Sequence, residues 1–74
     1  MAYYPRLRDM REDQDFTQRQ LAAMLSMPQS QYIRYEQGTR DIPTVTLIQL
    51  ADIYNTSTDF LLGRTNDPTP PPKK

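Results

Sequence analysis

Between Pro28 and Gly38 the sequence reads PQSQYIRYEQG, and Gln29, Ser30, Ile33 and Arg34 within it have the types and spacing of a polar recognition face. At about 100° per residue of helix they fall on one side together with Gln37, while Pro28, Tyr32 and Tyr35 fall on the other. Glutamine carries a donor beside an acceptor, as the edge of adenine does. Arginine presents a donor fork that matches guanine, and isoleucine packs on a methyl group such as that of thymine. The same residue types also make an ordinary solvated helix face, so this stretch alone leaves both readings open.

Other chemistries are narrowed by what the chain lacks. Its 74 residues include no cysteine and no histidine, which removes disulfides, thiolate or imidazole metal sites, and nucleophiles activated by an imidazole base. The nine carboxylates have no glycine-rich, histidine or aromatic surroundings that would build an active site, and both glycines are accounted for as helix stops. The reading is a non-enzyme with no cofactor and no metal. The length is near the lower limit for a domain that stabilises itself by burial alone. The N-terminal MAYYPRLRDMRED lacks the apolar run of a signal peptide, and nothing approaches the roughly 20 apolar residues of a membrane span. A soluble, cytoplasmic protein with no membrane partner is expected.

Formal charge is zero, but its distribution is uneven. Residues 1–16 carry a net −1, residues 17–40 a net +2, residues 41–63 a net −3 and residues 64–74 a net +2. The basic middle coincides with the polar face, which is where an anionic partner would meet it. The last residues, NDPTPPPKK, have no apolar period and several prolines; residues 66–74 are read as a disordered tail, with Lys73 and Lys74 as mobile charge, and residues 1–65 as the ordered domain.

The elements that must position the face are helices. A first is predicted over Pro5–Asp13, with Leu7, Met10 and Arg11 on one stripe and proline in its first turn. Thr17 and Gln20 form a capping box for a second, which buries Leu21, Ala22 and Leu25 and stops near Ser26 because Pro28 restricts Met27. The helix of about 28–37 follows after a short turn. Thr44 is placed as the cap of a fourth helix, so apolar throughout (Val45, Leu47, Ile48, Leu50, Ala51, Ile53, Tyr54) that it is expected at the centre. Ser57 opens a fifth, ended by Gly63.

With these residues in place, TQRQLAAMLSMPQSQYIRYEQGTRDIP followed by LIQLADIYNTSTDFLLGRT resembles the phage-repressor (Cro/XRE-type) helix-turn-helix family, from about Arg6 to Thr65. The resemblance implies an all-α fold, a compact five-helix bundle of the lambda-repressor-like DNA-binding type. Its third helix would enter the major groove of double-stranded DNA while the second crosses the backbone. Ser26, where the family often has glycine, and Pro28, where it often has serine or threonine, depart from the pattern.

Carried over residue by residue, the resemblance implies that Gln29, Ser30, Ile33 and Arg34 face bases, and that Gln18, Gln37, Thr39 and Arg40 meet phosphates. It also implies an ion pair between Arg11 and Glu36 that ties the first helix to the end of the third. Tyr32 and Tyr35 are expected in the core with anchored hydroxyls. Tyr3 and Tyr4 are open between packed and exposed, and Arg8 and Arg19 are read as solubility charges. The function expected is a sequence-specific transcriptional regulator, a repressor, acting on a palindromic operator as a homodimer, at least when on DNA. Ile42, Pro43, Thr58 and Leu61 are the candidate association surface. The alternative is an antitoxin-like or other protein-interaction module of the same fold.

Overall fold

A computed structural model describes residues 3–72. Five helices occur among them: α1 (Pro5–Asp13), α2 (Gln18–Met24), α3 (Gln29–Gln37), α4 (Thr44–Tyr54) and α5 (Thr58–Leu61). No strand is present among the described residues. The fold is the all-α, lambda-repressor-like bundle.

Each helix boundary has a local cause. Pro5 opens α1, where its missing N–H costs nothing. In α2 the capping box is complete: Gln20 N–H donates to Thr17 Oγ1 at 3.0 Å and Thr17 N–H donates to Gln20 Oε1 at 2.8 Å. Such a cap contributes about 1 kcal/mol. Ser26 turns the chain out of α2 in the left-handed region at φ 57°, and Met27 N–H closes the turn on Ala22 O at 3.0 Å. Gly38, at φ 78°, does the same for α3. Ser57 caps α5, its Oγ accepting from Phe60 N–H at 3.0 Å. At α4 the expected cap is displaced. Pro43 holds the N-cap position and makes no side-chain bond, while Thr44 is already the first helical residue; proline's fixed φ near −65° leads into the helix without a hydroxyl.

The core takes one fully buried large side chain from every helix: Leu7, Leu21, Tyr32, Leu50 and Leu61. α2 packs mainly on α3, α4 on α5, and α1 bridges α3 and α5. The central position expected for α4 is not what the bundle shows. The helix buries Thr46, Leu47, Leu50, Ala51 and Tyr54, but Val45 and Ile48 are 68% and 48% exposed. A bundle this small does not surround α4, so its broadly apolar sequence leaves some apolar surface in water.

Beyond Leu61 the chain runs back along the bundle without helix. Arg6 in α1 reaches it, donating to Phe60 O at 2.8 Å, to Thr65 O, and to Asn66 Oδ1 at 2.6 Å. Its guanidinium lies 4.1 Å from the centre of the Phe60 ring. The buried Thr56 hydroxyl donates to Pro68 O at 2.7 Å. Pro70, Pro71 and Pro72 then form one side of a groove of about 700 Å³ against Ile48, Ala51 and the start of α5. Lys73 and Lys74 lie outside the described residues.

Candidate nucleic-acid interface

The face of α3 is sorted by its core contacts. Tyr32, Tyr35 and Glu36 are buried, so the helix cannot rotate about its axis without exposing two aromatic rings and a carboxylate. That leaves Gln29, Ser30 and Arg34 exposed, Ile33 half-buried beside them, and Gln37 exposed at the far end of the same stripe. Gln31, between the two faces, donates its amide N–H to the Tyr35 hydroxyl at 3.0 Å, which anchors that ring.

The tilt of α3 is held from α1. Arg11 Nε and NH2 donate to the two carboxylate oxygens of Glu36, each at 2.9 Å, and Arg11 NH1 donates to Phe16 O at 2.8 Å. This side-chain pair is 13% and 4% exposed for Arg11 and Glu36. Burial pushes the Glu36 carboxyl up, but the Arg11 hydrogen bonds and charge, with smaller help from Tyr32 and Gln18, outweigh it and leave it below its ordinary value. The bond to Glu36 likewise raises Arg11, against its own desolvation.

Tyr32 differs from the anchored phenol expected of it. Its hydroxyl, like that of Tyr54, is buried and has no hydrogen-bond partner among the described residues. It is near enough to Glu36 to feel the charge without meeting bonding geometry, and burial first, then that carboxylate, pushes it well above the usual phenol range.

The residues around α3 fall into two groups. Gln18 is half-buried and its amide leans on Glu36 Oε1 at 3.4 Å, so it belongs to the same network as Arg11. Thr39 and Arg40 are exposed after Gly38. The Arg34 carbonyl collects the Thr39 N–H at 3.1 Å, the Arg40 N–H at 3.3 Å and the Thr39 hydroxyl at 3.3 Å. The chain leaving α3 is thereby fixed, and the Arg40 side chain projects from a defined backbone.

Tyr3, left open between packed and exposed, and Arg8, read as a solubility charge, are both exposed. Together with Arg11, Gln18, Glu36 and Gln37 they line a polar notch of about 530 Å³. Nothing in the helical period of α1 marks them, since Tyr3 precedes the helix and Arg8 stands outside its buried stripe. Of the candidate association residues, Leu61 is fully buried and unavailable, Ile42 and Thr58 are half-buried, and Pro43 is exposed. Among the described residues there is no cluster of groups able to hold a metal, and no helix is long and apolar enough to cross a membrane.

What the arrangement offers is a row of amide, hydroxyl and guanidinium groups about one helix long, with the Arg40 cation beyond its end on a fixed backbone. The chain is 38% identical over 64 residues to the HTH-type transcriptional regulator ImmR of Bacillus subtilis (strain 168), a match covering 86% of this chain and 50% of that protein. It is also 38% identical over 68 residues to the uncharacterized HTH-type transcriptional regulator YobD of the same strain, covering 92% of this chain and 61% of that one. A third relative, AnsR, is 36% identical over 59 residues. The chain thus spans about half to three-fifths of the length of these curated relatives. No solved structure matches it. The Helix-turn-helix family model matches residues 7–61, from the buried Leu7 of α1 to the buried Leu61 of α5, and the chain therefore belongs to the helix-turn-helix family of the Cro/XRE type.

Proposed function

We propose that the protein is a sequence-specific, double-stranded DNA-binding transcriptional regulator that places α3 in the major groove. One observation carries the reading: the exposed row Gln29, Ser30 and Arg34, with Ile33 beside it, stands on a helix whose other face is locked by Tyr32, Tyr35 and Glu36. Base-edge recognition requires such pre-oriented bidentate groups, and a merely solvated face does not need to be held. The relatives' names as transcriptional regulators support it.

Gln29 and Arg34 read base edges, Ser30 bonds an edge or a phosphate, and Ile33 packs on a thymine methyl. Gln18, Gln37, Thr39 and Arg40 hold the backbone on either side. Residues up to about 65 form the binding unit. One such unit covers few base pairs, so two copies related by a two-fold axis on a palindromic operator supply the affinity. A domain that occupies DNA in this way excludes other proteins from the site, which makes repression the simplest outcome and the cytoplasm its place.

Selection of bound fragments from a pool of random duplex DNA tests the reading. Enrichment of an inverted repeat with half-sites about one helical turn apart is the expected result. A pool that emerges without any enriched sequence rules out base reading by α3.

A further inference from the structure

The notch beside Gln37 extends the candidate interface onto α1. Gln37 closes the outward stripe of α3, one turn beyond Ile33 and Arg34, and it also lines the notch with Tyr3, Arg8, Arg11, Gln18 and Glu36. The two features are therefore continuous, and a backbone strand running past the end of α3 passes over the notch.

The cations within it are not equivalent. Arg11 has each of its three guanidinium nitrogens bonded, to both oxygens of Glu36 and to Phe16 O. It is committed to the bundle. Glu36, the anion in the notch, is buried and has both oxygens covered by that fork. Arg8 is different: its side chain is 59% exposed, and its partner among the described residues is Glu12, one turn along α1, at 3.5 Å from Nε and itself 53% exposed. An exposed pair of this kind holds weakly and yields to a more highly charged anion. Tyr3, 58% exposed, brings a phenolic donor to the rim.

We propose that Arg8 and Tyr3 are DNA-backbone contacts: the notch takes one phosphodiester group, with Arg8 giving up Glu12 to neutralise it. The Tyr3 hydroxyl and the Gln37 amide donate to its oxygens. This rests on the DNA reading of α3. It adds a third helix to the contact surface and gives a role to a residue read from the sequence as a solubility charge and to an aromatic left open between packed and exposed. Glu12 becomes a competitor, an internal anion that occupies Arg8 when DNA is absent.

The test is the salt dependence of binding to a short random-sequence duplex, followed by fluorescence anisotropy. Arg8→Gln is expected to lower the slope of log affinity against log salt by about 0.9 per subunit, as loss of one phosphate contact does. Arg8→Lys is expected to retain it, and Tyr3→Phe to weaken binding severalfold without changing the slope. Arg19→Gln, an exposed charge outside the notch, is the control for long-range electrostatics; an equal slope change there overturns the proposal. Glu12→Gln is expected to tighten binding severalfold in the wild-type background and not in Arg8→Gln, because its effect runs through Arg8. Equal tightening in both backgrounds overturns the proposal as well. Arg34→Ala, measured on a selected operator and on its shuffled version, separates the two levels: if it lowers the specificity ratio while Arg8→Gln leaves the salt slope unchanged, the notch assignment fails and the reading of α3 stands. If none of these variants changes binding, both fail.

Discussion

Arg11 in α1 and Glu36 at the end of α3 meet through two parallel hydrogen bonds of 2.9 Å each, across 25 residues of sequence. The pair is nearly dry and its geometry is bidentate, so the charge of each partner is met by the other. Removing one strands a charge. Glu36→Ala is expected to cost about 3–5 kcal/mol, whereas changing both residues to apolar ones of similar volume recovers much of the loss. Urea unfolding of the two single variants and the double variant checks this, and small additive losses would show that the pair does not act as a unit.

Acid should find the same pair. Because the Glu36 carboxyl is held below its ordinary value in the folded chain, its contribution to stability is complete above the unfolded-state value of about 4.3. It is lost as pH falls through the depressed folded value. Thermal unfolding between neutral and strongly acidic pH should show this loss, and Glu36→Gln should flatten the acid limb. At the other extreme Tyr32 and Tyr54 are pushed up, so their contribution is present below about pH 10 and is lost as pH climbs toward their raised folded values.

Reading and holding should separate in binding experiments. Gln29→Ala and Arg34→Ala remove side chains from the exposed row and are expected to cost about 1–3 kcal/mol each, relaxing preference at particular base pairs. Arg40→Ala should weaken binding to all sequences about equally and shallow the salt slope by about 0.9 per subunit. Competition between a selected operator and its shuffled version decides, since the specificity ratio should fall for the first two variants and hold for the third.

The turn between α2 and α3 carries a residue that its backbone does not favour. Ser26 sits at φ 57°, where a side chain costs on the order of 1 kcal/mol that glycine does not incur. Ser26→Gly is expected to stabilise the fold by about 0.5–1 kcal/mol, less whatever entropy the glycine adds to the unfolded chain. Chemical denaturation gives the sign directly, and a destabilised variant would mean that the serine side chain contributes more than the strain removes.

Much of this molecule is legible in its sequence because the signals are local. The capping box of Thr17 and Gln20, the stop at Gly38 and the inward stripe of Tyr32 and Tyr35 all lie within a turn or two of what they control. The cap of α4 is missed for a local reason too: Pro43 and Thr44 are both acceptable openings, and only backbone geometry chooses between them. Long-range partners are a different matter. Periodicity does not join Arg11 to Glu36; the family resemblance does. Nothing in the sequence joins Arg6 to Phe60 and Thr65, or Thr56 to Pro68, because a backbone carbonyl acceptor has no residue-type signature. The notch is hidden likewise, since Arg8 looks the same on any exposed helix face until α3 is seen beside it.

The Arg6 contacts also have a kinetic meaning. Arg6 bonds to partners 54, 59 and 60 residues away, so these bonds close a loop that encompasses every helix. α2 and α3, by contrast, are joined by a turn of four residues, 25 to 28. Loop-closure entropy grows with the length enclosed, and the cheap closure comes first. The clasp is then a late event on the folding path, absent from the transition state. Arg6→Ala is expected to accelerate unfolding while leaving the refolding rate nearly unchanged, a φ-value near zero. Stopped-flow chevrons of the two proteins would measure it, and a slowed refolding arm would place Arg6 in the nucleus instead. On this account the last bonds made are the first released, and Arg6 governs how long a folded molecule stays folded rather than how fast it forms.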